Sequence, residues 1–150
     1  MKLNKNEEIE KFELWLFEMD NRLEPLVDYA ENKGYSLDYS LESLLDFETF
    51  ILVEKITFEH DLFITCARYL GEILVQNFNG KWALDIDDPN SLYYGKPVVT
   101  NYSKYGTIFS PINILKNYTR AYKRGLLLKV IKSDIDPENF NLDKYPTENS

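Results

Sequence analysis

Leu62-Phe63-Ile64-Thr65-Cys66-Ala67-Arg68-Tyr69-Leu70-Gly71-Glu72-Ile73-Leu74-Val75-Gln76-Asn77-Phe78, followed at once by Asn79-Gly80-Lys81-Trp82-Ala83-Leu84-Asp85-Ile86, is where the pattern of the chain changes. The first run is apolar on nearly every side of a helix, and a helix of that kind is central and buried. The spacing predicts it over about residues 58–78, with Asn79-Gly80 as its stop. Beyond Gly80 the period shortens. Lys81 to Ile86 has strand character, and Asp87-Asp88-Pro89-Asn90-Ser91 is a turn cluster.

Working back towards the N-terminus, the chain reads as helix. Ile9, Phe12, Trp15, Leu16, Met19, Leu23 and Leu26 recur at three- and four-residue steps, while Glu7, Glu8, Glu10, Glu13, Glu18 and Asp20 cover the other face. This predicts helix over residues 6–32, kinked or broken near Arg22 to Glu24 by Pro25, which lacks an amide hydrogen and clashes with the preceding turn. Residues 35–39 form an extended connector. Ser40 is an N-cap for a second helix over about 41–55. Working forward, Lys96 to Tyr102 is a second strand, placed at an edge by Pro97, and Gly106 to Phe109 a short third. Ser110-Pro111 opens a helix to about 124, closed by Gly125. Leu126 to Ile131 either continues that helix or forms a final strand. The fold class is therefore α+β: N-terminal helices packed with a small antiparallel β-sheet and a C-terminal helix.

At 150 residues, 44% of them hydrophobic and 15% aromatic, the chain supports one packed domain, expected over residues 1–134, with 135–150 as a flexible tail. The N-terminus turns acidic at once, no apolar run reaches the roughly 20 residues a bilayer span needs, and the single Cys66 cannot pair internally, so a cytoplasmic protein without membrane association is expected. Charge is unevenly laid out. Residues 1–62 carry a net −10, residues 63–134 a net +5, and residues 135–150 a net −3. Such a chain attracts basic surfaces and repels nucleic acid.

Catalytic constellations are scarce. His60 and Cys66 are the only such pair, and six residues apart on a helix they fall on opposite faces. Asp85, Asp87 and Asp88 resemble part of a calcium loop, but Asn90 and Lys96 stand where that loop needs glycine and glutamate. No cofactor, no metal site and no hydrolase chemistry are expected. Gly71 inside the central helix implies close backbone packing. Glu72 beside it has two readings: a site residue, or a buried anchor that pairs with Arg68 at i−4 or accepts the indole hydrogen of Trp82. The second is preferred, with Tyr69, Gly71, Glu72 and Trp82 as one structural junction. Lys116, Arg120, Lys123 and Arg124 could touch phosphates, but a solvated face complementing the acidic helices is the preferred reading.

Leu37-Asp38-Tyr39-Ser40-Leu41-Glu42-Ser43-Leu44, Tyr69-Leu70-Gly71-Glu72 and Asn79-Gly80-Lys81-Trp82 together resemble small bacterial cytoplasmic proteins with an LDYSxESL…YLGE…GGxW pattern, some of which look like toxin-immunity proteins. Asn79 replaces the first glycine of that pattern. The resemblance covers roughly residues 37–115 and implies no catalytic residues. It implies a non-catalytic protein that binds and neutralises a cognate toxin, and the acidic half suits a basic toxin surface. The acids expected to meet it are Glu10, Glu13 and Asp20 on the first helix and Asp85, Asp87 and Asp88 in the turn. Exposed tyrosines around Tyr93, Tyr94, Tyr102 and Tyr105 are a further candidate surface. Two alternatives stand beside this reading: a ligand-binding or enzymatic domain with a pocket near Tyr69, Glu72 and Trp82, and a homo-oligomeric interaction module. The oligomeric state is open.

Overall fold

The computed structural model describes residues 4–135. The chain runs α1 (Lys5–Phe17), α2 (Met19–Asn32), α3 (Ser43–Val53), α4 (Phe63–Phe78), β1 (Lys81–Leu84), β2 (Pro97–Thr100), α5 (Pro111–Ala121) and α6 (Leu126–Ile135). This is an α+β fold in which the two strands pair antiparallel, Trp82 opposite Val99 and Leu84 opposite Pro97. The buried helix α4 is the hub, packed against α2, α5 and both strands. Cys66, Ala67, Tyr69, Leu70, Ile73 and Leu74 along it are shut off from solvent. Ile64, also expected in the core, is on the outside.

Asn79 ends α4 in the left-handed region (φ 57°), and the Gly80 amide reaches back to the Leu74 carbonyl at 3.2 Å. Gly80 is needed for a different reason. A Cβ there would stand 2.6 Å from Val99 Cγ1, so only glycine lets β2 lie this close to the end of α4. The expected third strand is reduced to one bridge, Phe109 exchanging both backbone hydrogen bonds with Val99 at 2.8 and 3.0 Å.

The predicted long N-terminal helix is two helices, and the break is not at Pro25. That proline lies inside α2 with its side exposed, where water can serve the carbonyl it leaves without a donor. The chain breaks at Glu18, the C-cap of α1 and N-cap of α2. In a continuous helix the Trp15 carbonyl would accept from Met19; here the Arg68 guanidinium donates to it at 2.6 Å and lies 3.9 Å from the Trp15 ring centroid. Arg68 is buried. Burial draws its pKa below the ordinary arginine value, against the opposing charge of Glu18. The inward face of α1 also differs from the expected one: Glu8 and Trp15 are buried, whereas Ile9 and Leu16 face out.

Ser40 accepts the Ser43 amide hydrogen at 3.1 Å ahead of α3. Tyr122 in the left-handed region closes α5 earlier than Gly125. Leu126 to Ile135 is neither an extension of α5 nor a strand but a separate helix, with Leu127 and Ile131 buried one turn apart. Ile135, expected to begin the tail, is the last residue of this helix, and Asp134 before it accepts the Tyr102 hydroxyl hydrogen at 3.0 Å. Residues 136–150 of the expected tail lie outside the described residues.

What starts α6 is a carboxylate from α3. Glu48 is buried, and its two oxygens accept from the amides of Gly125 at 2.7 Å and Leu127 at 3.0 Å. A carboxylate at the positive end of a helix is favourable, and charge-assisted bonds to amides are strong ones. Glu48→Ala should lower stability by about 2–4 kcal/mol in urea denaturation, because two amides lose a buried acceptor. A loss under about 0.5 kcal/mol, the size of an ordinary surface change, would show that the cap carries no weight.

Candidate functional site

Two of the residues singled out in the central helix meet the hairpin. The indole of Trp82 donates to Glu72 Oε2 at 2.8 Å, and its six-membered ring occupies the space a Cβ would need at Gly71. Trp82 also meets Trp15 edge-on, ring centroids 5.5 Å apart. Arg68 is turned away to Trp15, so the expected Arg68–Glu72 pair does not form. Tyr69 belongs to another seam. Its hydroxyl is 2.6 Å from Ser43 Oγ and accepts the Tyr39 amide hydrogen at 3.0 Å, with the Tyr39 and Phe47 rings packed against its own. The junction is therefore two: Gly71, Glu72 and Trp82 on the hairpin side, Tyr69 on the side of residues 37–44. The Asn77 amide adds a bond to the Tyr39 carbonyl at 2.8 Å. Of the three sequence pieces that carry the resemblance, Tyr69 to Glu72 lies in α4 and the other two dock on it.

His60 and Cys66 do not form a pair. His60 Nδ1 accepts the Leu62 amide hydrogen at 3.0 Å in the turn before α4, while burial pushes the Cys66 thiol up to about 12. A thiol at that value in the core has almost no thiolate at neutral pH. Among the described residues no group of three or more His, Cys, Asp or Glu could hold a metal ion, and no helix is long and apolar enough to cross a membrane.

The acids divide between two places. Asp87 and Asp88 are exposed in the turn after β1, where Asp85 and Asp88 serve as local acceptors for the amides of Asp87 and Asn90 at 3.2 and 2.9 Å. Half-buried Asp85 holds the Gly95 amide through its carbonyl at 2.8 Å. These are turn-forming roles. Glu10 and Glu13 are exposed on α1, and Asp20 is exposed near the start of α2. Of the tyrosines expected at the surface, Tyr102 is buried, held through Asp134, and Tyr93, Tyr94 and Tyr105 are half-buried.

The feature missed in the sequence is the outer face of α1. Phe17 is 80% exposed, Leu14 54%, Leu16 43% and Ile9 39%. Glu10, Glu13 and Phe17 are three, four and seven residues apart and so share one face, with Ile9 and Leu14 beside them. A phenylalanine at that exposure, one turn beyond a carboxylate and two turns beyond another, makes this face apolar and acidic together. Its signal was present in the run Leu14-Trp15-Leu16-Phe17, where four consecutive large apolar residues cannot all face one side of a helix. Clefts lie elsewhere. One of about 270 Å³ runs between the inner face of α1 and β2, from Glu8 and Phe12 to Gly95 and Pro97, and another of about 370 Å³ lies at the start of α5.

Compared with family models, curated proteins and solved structures, the chain matches none of them.

Gly71→Ala should cost about 1–3 kcal/mol in the native protein through the collision with the Trp82 ring. In a Trp82→Ala background the same change should become neutral or stabilising by up to about 1 kcal/mol, the helix preference of alanine. Equal costs in both backgrounds would show that ring and glycine are not coupled. Cys66 should resist alkylation at pH 8 in the folded protein and react fully in denaturant; reaction of the native protein at the rate of a free thiol would place the sulfur outside the core.

Proposed function

We propose that this chain is a non-catalytic, cytoplasmic immunity-type protein that binds and neutralises a basic toxin, with the outer face of α1 as the contact surface. The observation that carries the reading is Phe17, exposed one turn beyond Glu13 on the face it shares with Glu10, on a helix whose other side is anchored by Trp15 and Arg68. An interface of that composition recognises a partner with an apolar pocket inside a cationic surface. The ring supplies affinity by burial, and the carboxylates supply approach and orientation. Toxins that cleave nucleic acid carry such cationic surfaces, and the sequence resemblance to immunity-type proteins points the same way. Asp20 extends the acidic rim past the helix break. A second copy of the same chain is a poorer occupant, because a symmetric pairing through this face would set Glu10 and Glu13 against their own equivalents.

The test is co-expression with the candidate toxin encoded beside this gene, read by growth and by complex formation in size exclusion. Rescue and a one-to-one complex are expected. Glu10→Lys, Glu13→Lys and Asp20→Lys together should slow association about tenfold or more at low salt, with the difference shrinking as salt rises. Phe17→Ala should act on dissociation instead, speeding it about 30-fold if the ring is an anchor of about 2 kcal/mol. Absence of both rescue and complex refutes the reading, and binding indifferent to Phe17 and to all three acids moves the interface off α1.

A further inference from the structure

The cleft at the start of α5, about 370 Å³, has no carboxylate on its walls. Pro111 holds the first helical position without an amide hydrogen, so Ile112 and Asn113 present the first donors at the positive end of the helix. A serine just before a helix ordinarily gives its oxygen to one of those amides. Ser110 does not. It makes no side-chain cap, and although it is only 3% exposed and lines the cleft, its hydroxyl has no partner. A buried hydroxyl left so is costly unless something supplies the missing bond. Cations line the same cleft. Lys96 Nζ is held 2.9 Å from Asn113 Oδ1, and Lys116 and Arg120 follow Asn113 at steps of three and four residues on the same side of α5. Lys116 stands at the boundary with a neighbouring cleft, its ammonium 4.4 Å from the Phe58 ring centroid.

We propose that this cleft binds a phosphate group. Amides at the helix start, a buried hydroxyl without a partner and Lys96 lie at one end of the cleft, Lys116 and Arg120 line it further along α5, and phosphate accepts from donors of each of these kinds. The net −10 of residues 1–62 opposes a long polyanion, which limits the ligand to a small one. The phosphate is either the free ion or the monoester of a small molecule, whose organic part would lie on Leu92, Tyr93 and Ile108 along the same wall. The site does not use the outer face of α1 and stands independently of the toxin-binding proposal.

Calorimetric titration of the full chain with inorganic phosphate and, separately, with phenyl phosphate in dilute chloride buffer tests it. One saturable site is expected. Arg120→Gln and Ser110→Ala should each weaken it about tenfold, the scale of a lost hydrogen bond to a charged ligand, while in the absence of phosphate the melting temperature stays unchanged for Arg120→Gln and is unchanged or raised for Ser110→Ala. Tighter binding of phenyl phosphate assigns the monoester, and equal binding assigns the free ion. No saturable binding of either probe overturns the proposal, as does affinity unchanged in both variants. Should Ser110→Ala fail to fold, Arg120→Gln, an exposed position on α5, decides alone.

Discussion

The contact of the Trp82 ring with the backbone at Gly71 is the constraint on which the two halves of this molecule depend. A helix apolar on nearly every face has to be covered on every face, and α4 receives α2 on one flank, α5 on another and the hairpin on a third. The hairpin can approach only where α4 has no side chain in the way. Gly71 makes that opening, Trp82 fills it, and Glu72 one residue on satisfies the indole hydrogen, so the polar edge of a large ring is not stranded in a half-buried place. Gly80 repeats the device at the helix end, where Val99 takes the space. Two absent Cβ atoms thus set the distance between helix layer and sheet.

Where the chain has to interrupt a helix, a buried charge from a distant segment supplies the missing backbone partner. Arg68 takes the carbonyl freed between α1 and α2, and Glu48 takes the amides at the start of α6. Both are long-range arrangements, joining residues 53 and 77–79 positions apart. Each charge has its hydrogen bonds provided by the backbone group that would otherwise be unsatisfied, so the cost of burying one offsets the cost of orphaning the other. Tyr69 plays a neutral version of the same part, fixing the loop before α3 through Ser43 and the Tyr39 amide.

This explains which parts of the fold could be read beforehand. The central helix, its stop at Asn79-Gly80, the two strands of the hairpin and the Glu72–Trp82 bond follow from local pattern: one apolar run, one turn dipeptide, one glycine beside one acid. The break at Glu18 and the start of α6 do not, because the residues that cause them, Arg68 and Glu48, are far away in the chain. Pro25 was the stronger local signal for a break and was overruled by an exposed position where its lost hydrogen bond costs little. The inner face of α1 was misread for a related reason. The expected stripe runs through Ile9, Phe12, Trp15 and Leu16; Trp15 is buried as expected and stacks on Arg68, but the helix is turned so that Glu8 lies inward towards Gly95 and Ile9 and Leu16 face out.

That rotation has a functional consequence. With Trp15 and Glu8 inward, Ile9 and Leu16 are carried outward beside Leu14, Phe17, Glu10 and Glu13, so that the outer side of α1 is apolar and acidic at once. Its acidity follows the chain-wide layout, since the basic residues of α5 and α6 lie on other elements and Arg124 is engaged with Thr49 of α3 at 3.2 Å. The cations that remain near the start of α5 surround a cleft without acids. The two surfaces therefore favour opposite kinds of ligand: an extended cationic one on α1, and a small anionic one beside Ser110. A single chain can keep both because each is local. At physiological ionic strength a charge is felt over about 8 Å, so binding at each surface is decided by the residues that line it more than by the net −8 of the whole.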